Sequence, residues 1–151
     1  MDENSQAVER IRAHHAALLG GLRSRSEALL AAAAGDAAHE PRTDMLLYMK
    51  EEIVPHAEAE EETIYRRGLE LRDLVPLLQA MIAEHARLRS LTAELEAALA
   101  PVRAASLGFA ITELFALHAD KENDLLLPRL AGEPGVKVHD LLGEMHAKLE
   151  G

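Results

Sequence analysis

The chain has no cysteine and no tryptophan, and only two tyrosines and two phenylalanines among its 151 residues. Without thiols it can form no disulfide, no thiolate metal site, no iron–sulfur cluster and no cysteine nucleophile. That absence fits a reducing compartment. Val, Ile and Thr number only 15. Strands draw on β-branched and aromatic residues, so the composition argues against a sheet-based fold. Basic charge is also short, with 16 Lys and Arg against 26 Asp and Glu, a formal net charge of −10. No Lys/Arg cluster offers a face that could release phosphate counterions, so the chain is expected to have no nucleic-acid partner. No apolar run approaches the ~20 residues of a membrane span. The segment Met1-Asp2-Glu3-Asn4 is acidic and polar, unlike a signal peptide. The expectation is a soluble, cytoplasmic protein with no membrane partner.

Helix formers are abundant. Alanine (27) and leucine (26) supply over a third of the chain, and 48% of residues are hydrophobic. One all-α domain over residues 1–151 follows. Punctuation divides it. Ser5 is the expected cap of a first helix running to Ala34. Residues 35–42, with His39 and Pro41, read as a loop. Thr43 opens a second helix that ends near Arg67, with Pro55 expected to kink it and aim His56. Asp73 caps a third helix reaching Ala100. The fourth runs from Val102 to Ala131, and a short fifth from about 137 to 150. Short connections make neighbours antiparallel, so the predicted architecture is an up-down-up-down four-helix bundle, over about residues 5–131, with a short C-terminal helix.

Each long helix carries an apolar stripe at three- and four-residue steps: Ile11 and Leu18 in the first, Met49 and Ile53 in the second, Met81 and Leu88 in the third, Ile111, Leu114 and Leu125 in the fourth. Leu99 closes the third stripe. One histidine interrupts each stripe: His15, His56, His85 and His118. Two stripes add a glutamate four residues later, Glu60 and Glu122. Residues four apart on a helix share a face, so each His/Glu pair can address one point. Counted from the helix-joining turns at ~1.5 Å per residue, all six fall within about two turns of one level. An unpaired carboxylate in a bundle core costs several kcal/mol. Four histidines and two glutamates at one height therefore point to metal. Imidazole and carboxylate without thiolate suit iron or manganese, with zinc as the remaining alternative. Six ligands exceed one tetrahedral zinc site and suit two ions, each with two histidines and both sharing the carboxylates. The Glu-x-x-His pairs of ferritin-like sites are absent, since Arg12, Ile53, Ile82 and Phe115 stand three residues before the four histidines.

The segments Ile11-Arg12-Ala13-His14-His15, His56 to Glu61 with Ile64-Tyr65, Glu84-His85 with Leu88, and His118 to Glu122 with Leu125 to Pro128 resemble the hemerythrin-like, or HHE cation-binding, family. The resemblance spans residue 8 to about 130. It implies a non-haem diiron centre with a bridging oxygen, held by His15, His56, Glu60, His85, His118 and Glu122, with an open site for O2, peroxide or NO. Iron ranks above manganese or zinc. The chain departs from the oxygen carriers of that family in two places. Met81 stands where they have a second histidine on the third helix, and Asn123 stands where they have the last carboxylate. The pattern resembles the bacterial branch instead. Sensing, carriage or detoxification and an oxidoreductase with peroxidase-like, catalase-like or NO-reducing turnover both stay open, as do oligomeric state and protein partners.

The other polar candidates have plainer readings. His14 lies off the seam and reads as surface, His39 as loop, and His139 and His146 as solvated. Glu58, Glu61 and Glu62 read as solvated, with Glu61 also a candidate to stand behind a ligand. Tyr48 reads as core packing, and it is the one residue suggesting a proton donor near the site. Met45, Met49 and Met81 read as core.

Overall fold

The computed structural model describes residues 1–35 and 39–151, and among the described residues there is helix and no strand. Helix α1 covers Glu3–Gly35. Helix α2 is a continuous right-handed rod over residues 39–68, built of α-helical segments His39–Tyr48, Val54–Glu60 and Arg66–Gly68 joined by π-helical turns Met49–Ile53 and Glu61–Tyr65. A 3₁₀ turn, Arg72–Leu74, leads into α3, Val75–Ala97. Helix α4 comprises Pro101–Lys121, a π turn Glu122–Leu126, and Leu127–Ala131. Helix α5 is Val138–Glu150. Helix α1 packs on α2 and α4, α3 packs on α2 and α4, and α5 packs on α1 and on the later half of α2.

The boundaries differ from expectation for local reasons. Asp2, not Ser5, caps α1, its Oδ1 accepting from the Ser5 N–H at 2.7 Å. Helix α2 opens at His39, so Pro41 lies in its first turn, where the missing N–H costs nothing. The part of the expected loop at residues 36–38 lies outside the described residues. Asp73 caps nothing with its side chain; its carboxylate binds Arg129 at 2.7 and 3.2 Å. Helix α4 is, by length and composition, apolar enough to cross a membrane, contrary to the sequence reading. Its most apolar stretch is half buried within the bundle, against α1 and α3.

The two inner prolines share one solution. Val54 N–H bonds to Met49 O and Leu127 N–H bonds to Glu122 O, each five residues back. Pro55 and Pro128 come next in each case. The ladder has already widened when the residue without an N–H arrives, which relieves the clash that costs ~3 kcal/mol in a regular helix. Pro55 is thus accommodated by a π turn instead of breaking the helix. The π turn in α4 moves Leu125 out to solvent and brings Leu126 into the core. Leu99 is likewise exposed, because α3 ends at Ala97 and the chain extends at Ala98.

The apolar interior forms two clusters. One contains Val8, Ile11, Ile64, Tyr65, Leu78, Met81 and Leu126. The other contains Leu18, Leu22, Met49, Ile53, Leu88, Leu91, Ile111 and Phe115. On each of the four long helices the histidine lies in sequence between residues of the two clusters. A polar layer therefore crosses the middle of the core.

Candidate metal centre

That layer contains all six residues expected from the sequence, none more than 3% exposed. Helix α1 supplies His15, α2 supplies His56 and Glu60, α3 supplies His85, and α4 supplies His118 and Glu122. Their ligand atoms fall into two groups. His15, His56 and Glu60 form one, and His85, His118, Glu60 and Glu122 form the other. Within each group the atoms lie within 4.8 Å of one another, and Glu60 belongs to both. Glu60 Oε1 is 2.6 Å from His56 Nε2 and 3.1 Å from His15 Nε2, while Oε2 is 3.4 Å from His85 Nε2. Glu122 Oε1 is 2.6 Å from His118 Nε2, and its Oε2 is 3.9 Å from His15 Nε2.

Three of the imidazoles are held from behind. His15 Nδ1 donates to Asn123 Oδ1 at 2.8 Å, His85 Nδ1 to Glu61 Oε1 at 3.0 Å, and His118 Nδ1 to Glu84 Oε1 at 2.9 Å. With the proton fixed on Nδ1, the neutral ring turns its Nε2 lone pair inward, the arrangement metal-binding histidines adopt. Lys121 Nζ contacts Glu84 Oε2, and Arg89 lies 3.5 Å from Glu61. Asn123 and Glu84 therefore touch the site through its histidines, and Glu61 does so instead of being solvated. Glu58 and Glu62 are exposed, as expected.

The donor atoms suit a cation better than they suit one another. His85 Nε2 and His118 Nε2 face each other at 2.9 Å, a contact of two lone pairs unless a proton or a metal stands between them. His56 Nε2 and Glu60 Oε1 approach to 2.6 Å, yet His56 Nε2, His56 Nδ1 and Glu60 Oε2 are buried with no hydrogen bond. Converging atoms that do not bond one another are what a shared third atom requires. Charge tells the same story. Burial opposes ionisation of Glu60, but His56, His15 and His85 outweigh it and hold its carboxyl well below the usual range. Burial and the Glu60 charge push Glu122 up. Burial lowers His15 and His118, but their carboxylate partners carry both to about 9. Without metal the layer gathers protons to offset its carboxylates.

The tyrosine at the site is Tyr65, not the Tyr48 that the sequence suggested. Its ring stacks on His85 with centroids 5.1 Å apart and planes 9° from parallel. Its hydroxyl lies 3.0 Å from His118 Nε2 and 3.4 Å from His85 Nε2. Tyr48 points elsewhere. Its hydroxyl donates to Leu18 O at 3.3 Å, Arg25 stacks on its ring, and it presses on Gly21, where any Cβ would stand 2.2 Å from the hydroxyl.

Comparison with curated proteins and with solved structures returned no match. The family profile described as the hemerythrin HHE cation-binding domain matches residues 6–130, which takes in all six core His and Glu residues and Tyr65. The chain therefore belongs to the hemerythrin HHE cation-binding domain family.

Proposed function

We propose that this chain is a non-haem diiron protein that binds O2, peroxide or NO in the core of an up-down-up-down four-helix bundle, for sensing, carriage or detoxification. The observation that carries the reading is the sharing of Glu60 by two ligand groups, each with two histidines. One ion would be held by His15, His56 and Glu60, and the other by His85, His118, Glu122 and Glu60. All-nitrogen and oxygen donors with family membership favour iron over zinc. Two bound irons would supply redox-active Lewis acids with room for a small ligand.

The residues around the donors would do the rest. Glu61, Glu84 and Asn123 fix ring orientation. The two apolar clusters exclude bulk water. Met81 is fully buried and takes the place of the extra histidine of the oxygen carriers. A thioether is a poor ligand for oxidised iron among nitrogen and oxygen donors, which supports an open position there.

An oxidoreductase is the second reading, and Tyr65 favours it. Burial and the Glu60 and Glu122 charges push its hydroxyl well above the ordinary tyrosine value, so it keeps a proton inside the site. Peroxide or NO turnover needs such a donor.

Azide titration of air-purified wild type and Met81→His tests the open position. Wild type should bind azide with a change in its charge-transfer absorption, and Met81→His should bind it at least tenfold more weakly, the equivalent of about 1.4 kcal/mol. Equal binding would remove Met81 from the neighbourhood of that position.

A further inference from the structure

The four core histidines differ in what lies behind them. His15 backs onto Asn123, whose carbonyl accepts from Arg12 at 2.8 Å. His85 backs onto Glu61 and Arg89, and His118 onto Glu84 and Lys121. On each of these three sides the imidazole Nδ1 is already hydrogen-bonded and an ion pair closes the way to solvent, Arg12 with Glu9, Arg89 with Glu61 and Lys121 with Glu84, so none offers a free nitrogen to an incoming ion. His56 has no such backing: its Nδ1 is buried and unpartnered. The ring beside it is that of His14, 5.0 Å away between centroids. His14 is exposed on α1. His146 of α5 lies close enough to His14 to act on it electrostatically. The nearby Lys148 is paired to Glu62 at 2.6 Å, while Glu58 on the same cleft adds negative charge.

A divalent ion must lose its water to reach a layer this deeply buried, and full dehydration in one step is prohibitive. Imidazoles that replace waters one at a time divide that cost. We propose that His14 is the intake site of the protein: a divalent cation docks on its exposed imidazole and passes to His56, the one core histidine whose outer nitrogen is free to receive it. The inference builds on the metal-centre reading and assigns His14 a role in the rate of loading, not in the affinity of the loaded site.

The test follows Co(II), added alone to metal-free protein, by stopped-flow absorbance, and then follows its release into excess chelator. His14→Ala should slow uptake on the order of tenfold, as a barrier about 1.4 kcal/mol higher would, and leave the final cobalt content unchanged. Because a route works in both directions, release should slow by the same factor. His139→Ala, at an exposed position of α5, should change neither. Unchanged uptake in His14→Ala overturns the proposal. So do lower content and faster release, which would make His14 a ligand of the site. The wild-type end point is read separately. Two cobalt ions per chain support the dinuclear reading and a single ion contradicts it, while the ratio of rates judges His14 in either case.

Discussion

The hydroxyl of Tyr65 stands 3.0 Å from Nε2 of His118, inside a layer otherwise made of imidazoles and carboxylates. Tyr65→Phe removes that hydroxyl and keeps the ring stacked on His85. The variant should retain its metal content and lose about 1 kcal/mol of stability, the worth of one hydrogen bond. If the protein turns peroxide over, the rate should fall about 100-fold, as expected for a lost proton donor. Steady-state peroxide consumption at equal iron loading checks this. An unchanged rate would remove Tyr65 from proton transfer and return the balance to ligand binding.

Glu60 and Glu122 should matter unequally. Glu60 belongs to both ligand groups and Glu122 to one. Glu60→Ala should abolish most metal binding, Glu122→Ala should weaken it less, and the exposed Glu58→Ala and Glu62→Ala should leave it intact. Elemental analysis of the four variants after identical expression decides the order. Equal loading in all four would mean that the carboxylates do not hold metal.

Glu84 reaches the site only through His118. Glu84→Gln keeps its shape but weakens its grip on the imidazole proton and loses the charge that holds Lys121. Metal affinity should drop about 10- to 100-fold, the usual effect of losing a ligand's supporting carboxylate. Competition with a chelator of known affinity measures it. Glu94→Gln, which alters a carboxylate salt-bridged to Arg103, should have no effect.

The metal-free protein should be stabilised by its own protons. His15 and His118 are raised from 6.5 to about 9 by their carboxylate partners. A raised group contributes stability fully below its unfolded value and loses it as the pH climbs through the folded one. With chelator present, the melting temperature should therefore be higher at pH 6.5 than at pH 9.5. Bound metal replaces those protons and should flatten the difference. A metal-free protein equally stable at both values would show that the two histidines are not charged in the fold.

Much of this was legible because helical spacing is simple. Histidines breaking four apolar stripes, with glutamates one turn on, marked the six inward residues, five in regular α-helix and Glu122 at the first position of a π turn. The reading failed where the helix widens. Tyr65 follows Glu60 by five residues, about 140° round an ideal α-helix, which in a regular helix turns it away from the site. The π turn Glu61–Tyr65, whose N–H groups reach back five residues instead of four, brings it back. No side chain announces that turn: Thr63 donates to Ala59 O at 2.6 Å, but Thr92 and Thr112 make the same back-bond within regular helix. The same widening exchanged Leu125 for Leu126. Asn123 and Glu84 were missed for another reason: they reach across to histidines on α1 and α4, and no spacing within one helix reveals a partner on another. Helix ends shifted where a side chain had a distant partner, as Asp73 has in Arg129.

The most direct test of a diiron centre is the metal itself. Protein expressed with adequate iron and purified under air should contain close to two irons per chain, one for each ligand group, and its Mössbauer spectrum should show coupled high-spin ferric ions. One zinc per chain and no iron, under the same iron-replete expression, would contradict the diiron reading outright.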